Sequence, residues 1–179
     1  MFIGQKVLSG DEAPIQDGNA MPLSRIPSGM FVHNVEITKG QGGILGRSAG
    51  CAIQKQGTTG EYCQIKLPSR EIRLVRQECY ATIGEVGNEE YSNLKIGKAG
   101  RKRKMGIRPT VRGVAMSWGH PHAGGQGKGG RVGTGGPAKT PWGKKQGKKT
   151  RKNKRTNKYI IQRRTTRRRP NVKKYKTIV

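Results

Sequence analysis

The chain has 179 residues, 31% of them hydrophobic, with 37 Lys and Arg against 10 Asp and Glu, 28 glycines and a formal charge of +27. That composition supports one small folded domain at most, and no apolar run reaches the length of a membrane span, which excludes insertion into a bilayer. Residues 1–94 hold 9 bases and 10 acids, whereas residues 95–179 hold 28 bases and no acid. Such a basic segment repels itself, so its counter-charge must come from another molecule, and nucleic acid is the polyanion that fits.

Taken in chain order, residues 1–28 read as an extended arm with turns at Pro14, Gly18, Pro22 and Pro27. Asp11, Glu12 and Asp17 stand there against Lys6 alone before Arg25, the opposite of an acid-poor transit peptide, so the chain is expected either to be made where it works or to have lost a presequence. Residues 29–114 carry short β-like runs: Gly29 to Thr38, Ala52 to Gln56, Tyr62 to Leu67, Ile72 to Arg76 and Ala81 to Glu85. In the third run Cys63, Ile65 and Leu67 alternate with Tyr62, Gln64 and Lys66, the period of a half-buried strand. The Gly40 to Gly50 stretch is a glycine-rich connection, and one short polar helix is expected between Asn88 and Gly100. Cys51, Cys63 and Cys79 lack C-x-x-C spacing and read as small buried hydrophobes, with no metal site.

Residues 101–113 set basic side chains around Met105, Ile107 and Val111. Residues 115–179 are rich first in glycine and then, over residues 144–176, in Lys, Arg, Thr and Asn, where Tyr159, Ile160 and Ile161 are the only apolar cluster before the end. This segment is expected to be ordered by what it binds. The fold class is therefore mainly β: a small barrel followed by a long irregular basic extension.

The extension lacks the apolar helix face of a membrane anchor. Glycines among its charges let the backbone approach phosphates closely, which favours folded RNA over duplex DNA. The phosphate-loop pattern G-x-x-x-x-G-K-[ST] fails twice, because His122 stands at the first glycine position before Gly127-Lys128 and Lys149 follows Gly147-Lys148. His120 and His122 form an H-P-H pair without a carboxylate nearer than Glu90, so His120 is a weak candidate for catalysis and both are better read as RNA contacts. Trp118 and Trp142 suit stacking on bases or pinning the extension to the barrel. The competing readings are a DNA-compacting basic protein and an RNA-processing enzyme built on His120 and His122.

Ordered stretches carry a further signal: VLSGDEAPIQDGNAMPLSRIPSGMFVHNVEI, GGILGRSAG, LPSREIRLV, ATIGEVGN, IGKAGRKRKMGIRPTVRGVAM, the H-P-H loop and PWGKKQGKKTRKNKRTNKYIIQRR. From Val7 to Arg164 the chain resembles the universal large-subunit ribosomal protein L-two family, in its bacterial and organellar form. The resemblance implies an SH3-like barrel that binds large-subunit rRNA, an extension toward the peptidyl-transferase centre, neighbouring ribosomal proteins as partners and a contact with the small subunit. It carries the rRNA-binding role to Arg47, Ser48 and Arg73, to Lys98, Arg101, Arg103, Lys104, Arg108 and Arg112, and to His120 and His122. In the extension it reaches Trp142, Lys144, Lys148, Lys149, Arg151, Lys154 and Arg155. Gly119 and Gln126 replace the two acids of the family's histidine loop, and Ala123 its first glycine, which argues against a protein-catalysed step. No cofactor is implied beyond magnesium held by the rRNA. Family members carry an OB-fold ahead of the barrel, of which residues 1–28 resemble the last strand. A split protein is therefore expected, with a separate N-terminal half, in a mitochondrial ribosome, plastid and bacterial settings being the alternatives.

Overall fold

The computed structural model describes residues 1–112, 115–116, 139–140, 143–145, 151 and 153–164. Two compact units divide it: residues 1–94 with the segment from 153 onward, and residues 95–152. The first contains a seven-stranded antiparallel sheet: β1 (Ala20–Pro22), β2 (Phe31–His33), β3 (Ile53–Thr59), β4 (Tyr62–Lys66), β5 (Ile72–Arg76), β6 (Tyr80–Ile83) and β7 (Ile160–Gln162), in the order β1-β6-β2-β3-β4-β5-β7. A 3-10 turn covers Glu89–Asn93.

The order forces curvature. Residues Gln77 to Cys79 alone connect β5 to β6, and four peptide steps reach at most ~14 Å. In a flat sheet β6 and β5 would lie four strand spacings apart, roughly 19 Å. The sheet must therefore curl on itself, helped by the bulge between Lys55 and Gly57 in β3. It curls as the expected barrel requires, while β1 and β7 remain its two edges and no described ladder joins them.

The period-two reading of β4 matches burial: Cys63 and Ile65 are buried, and Tyr62, Gln64 and Lys66 are not. Together with Met21, Leu23, Ile26, Val32, Ile53 and Ile83, they form the main core. Residues 1–28 do more than lead into this core. β1 pairs with β6, Leu23 N–H donates to the Cys79 carbonyl at 2.9 Å, and Ser24 N–H donates to that of Gln77 at 3.0 Å. The sequence gives little sign of this because β1 is three residues long and ends on Pro22, which an edge strand tolerates.

Among the described residues three polar side chains are buried, each satisfied by backbone. Lys55 Nζ donates to the carbonyls of Leu23 and Ile26, tying β3 to the arm. Asn19 accepts from Leu8 N–H and donates to the Pro14 carbonyl. Glu36 accepts from the N–H groups of Gly40, Gly42 and Tyr80.

β7 is the second departure from the sequence reading, which places Ile160 and Ile161 in the extension. Here Ile160 is 1% exposed and β7 pairs with β5, Arg73 facing Ile160 and Ile72 facing Gln162. An unpaired β5 edge and a β-branched pair are enough to capture a strand from an otherwise cationic segment. The expected short helix between Asn88 and Gly100 resolves into the 3-10 turn and a separate helix, α1 (Ala99–Lys104), in the second unit.

Candidate nucleic-acid interface

Residues 34–51 present Arg47 and Ser48 on a fixed loop. Val35 bridges to Leu45, Asn34 N–H donates to the Gly46 carbonyl at 3.1 Å, and Cys51 N–H donates to that of Ser48 at 3.0 Å. The Glu36 carboxylate gathers the Gly40 and Gly42 amides from inside. A Cβ at Gly43 would stand 2.1 Å from Asn34 Oδ1, so the loop closes only with glycine there. Gly46 turns the chain with φ +65°, and Gly50 N–H holds the far side on the Val86 carbonyl at 3.1 Å. Arg47 to Gly50 are left exposed. A guanidinium and a hydroxyl projecting from a pinned turn suit a phosphate, which the guanidinium can hold with two parallel hydrogen bonds.

Arg73 is placed differently. Its pairing with Ile65 puts it on the core face of the sheet, it is half-buried, and β7 lies beside it. Lys154 and Arg155 are exposed on the segment leading into β7, so they belong to the same edge as Arg73. Lys158 and Arg163, which the sequence reading did not single out, join them there. The signal that could have found them is the Tyr-Ile-Ile run, which marks a strand and hence an anchored surface for its flanking cations.

In the second unit residues 95–112 carry eight bases and no acid. Lys98, Arg101, Arg103, Lys104, Arg108 and Arg112 are all exposed. Helix α1 buries nothing, has four basic residues in its last turn, and stops at Gly106, whose φ is +81°. Ile107 N–H donates to the Lys102 carbonyl and Gly106 N–H to that of Arg103, the glycine-dependent closure that ends many helices. A six-residue helix without a buried face is too short to be stable alone, and what favours it is the set of cations at its C-terminal dipole. Lys144 is half-buried in a small turn where Lys139 bridges to Lys145, and Arg151 is exposed. His120, His122, Trp142, Lys148 and Lys149 lie outside the described residues.

Residues 95–112 form one acid-free run of exposed cations, and the sheet unit carries its own exposed bases at the Arg47 turn and before β7; each is chemistry that suits a polyanion. The model of one protein family, described as ribosomal proteins L2, C-terminal domain, matches residues 16–143. The chain belongs to this family. As an L2 domain it is a structural, rRNA-binding constituent of the large ribosomal subunit, partnered by rRNA and ribosomal proteins, and its family is not enzymatic. The L2 match takes in the Arg47 loop, β5 and the whole of residues 95–112, while β7 and its flanking cations lie beyond it.

Proposed function

We propose that the sheet unit docks through the Arg47–Ser48 turn and the β5–β7 edge on a defined rRNA surface, while residues beyond Lys95 enter the folded rRNA near the peptidyl-transferase centre and neutralise its packed phosphates. The observation that carries this reading is the run of eight bases over residues 95–112, fully acid-free and without one buried residue. Each phosphate contact releases counterions, so affinity falls with a log-salt slope of roughly −0.7 to −0.9 per contact, and about ten contacts lose on the order of 10⁵ between low and moderate salt. Charge alone is indiscriminate, so specificity comes from the fixed loop geometry and the shape of the RNA.

Sedimentation tests this: the chain is expected to travel with the large subunit at moderate salt and normal magnesium, and to be released by RNase but not by DNase. Free migration, or release by DNase, contradicts it and favours the DNA-compacting reading. The resemblance to the bacterial and organellar form of the family also supports a mitochondrial ribosome as the setting, and mass spectrometry of purified mitochondrial large subunits checks this.

A further inference from the structure

Where β4, β5 and β7 meet, the structure gathers two aromatic rings and two cations, Arg76 and Lys158, for which the family resemblance gives no role, next to Lys154 and Arg155, for which it does. Tyr62 stands directly opposite Arg76 in the β4–β5 register, on the face away from Cys63 and Ile65. The Tyr62 hydroxyl lies near the Arg76 guanidinium and favours its charged form. The Tyr159 ring lies 5.8 Å from that of Tyr62, tilted by 40°, and Lys158 Nζ sits 5.2 Å from the Tyr159 centroid. Both rings are half-buried, and Arg76, Lys158, Lys154 and Arg155 are exposed. Two acids, Glu61 and Glu78, stand near Arg76, so a bound anion belongs on the Lys158 side of the rings.

We propose that the Tyr62–Tyr159 pair is a stacking platform for an unpaired rRNA base, whose phosphates are held by Lys158 and Arg155. This rests on the rRNA-binding reading above and adds a site to it. Apolar packing alone would be met by leucines. Tyrosine instead offers a π-face that any base can use, and rings edged by cations are the means by which single strands are held without sequence preference. Lys158 covers Tyr159 from a flexible stem, and its ammonium can pass from the ring to a phosphate as a base arrives. The platform exists only when β7 is paired with β5, so one event both completes the sheet and creates the site.

The test uses the full chain and two probes, an oligouridylate and an RNA duplex of equal length, at one fixed salt concentration. Tyr159→Leu is expected to weaken oligouridylate binding by about 5- to 100-fold, the worth of one stacked base, while duplex binding and the melting temperature stay unchanged. Tyr159→Phe keeps the ring and is expected to bind as the parent does. Equal binding by all three proteins, a loss shared by Tyr159→Phe, or a loss matched by a fall in melting temperature overturns the platform and leaves Tyr159 as a packing residue. A parent chain that binds neither probe overturns the rRNA-binding reading with it.

Discussion

Gly46 links backbone chemistry to the Arg47 turn, which is proposed above to dock on rRNA. With φ at +65° and Ile53 Cδ1 2.7 Å from where a Cβ would sit, Gly46→Ala combines a left-handed strain with a clash against the core. A loss of roughly 1–3 kcal/mol in urea unfolding is expected, with weaker RNA binding because Arg47 is the next residue. The cysteines and tyrosines supply a pH test. Burial pushes the Cys79 thiol above its ordinary 9.0, with Glu36 adding to the effect, and the hydrogen bond that the Tyr80 hydroxyl donates to Asp11 pushes Tyr80 above 10.0. In both cases the folded state favours the protonated form. As pH rises, the unfolded chain therefore gives up these protons first, so the stability they contribute is complete below about pH 9 and is lost above it. Denaturant melts at rising alkaline pH should show falling stability, with a flatter profile in Cys79→Ala; stability that rises over that range contradicts the assignment.

At the scale of elements, β7 decides how much of the basic segment belongs to the fold. Ile160→Ala removes a side chain that is 1% exposed from the sheet edge. It is expected to cost about 2–4 kcal/mol in the local opening of β7, read as faster hydrogen exchange at residues 160–162 and at their partners in β5, while β2 and β3 keep their protection. Uniform loss across the sheet would mean that β7 is part of a single cooperative core. The same element shows what was legible in the sequence. β3, β4 and β5 could be read because each alternates or runs apolar between turn residues, and the Arg47 turn could be read from its glycines. β1 and β7 were harder to read, since three-residue edge strands show no period and both are set in segments of contrary character, proline-rich in one case and cationic in the other, which leaves the Tyr-Ile-Ile run as the one cue for β7. Lys55 and Glu36 were equally hidden: nothing in a sequence says that a backbone carbonyl or amide will be waiting for a buried charge. Arg73 was identifiable as a cation on β5, but its turn toward the core face depends on pairing register.

For the whole molecule, the charge step near Lys95 separates two ways of becoming ordered. Residues 1–94 are nearly neutral and, together with the returning strand, bury enough apolar surface to form their own core. Residues 95–112 hold cations, small residues and a few exposed apolar side chains, among them Met105, Ile107 and Val111, so on the reading proposed above their order comes from the RNA whose charge they neutralise. Hydrogen exchange measured on the chain alone and within the large ribosomal subunit tests this most directly. The sheet is expected to be protected in both states, and residues 95–112 to be protected only in the subunit. Equal protection of residues 95–112 in the free chain, or exchange there that the subunit leaves unslowed, would contradict the account.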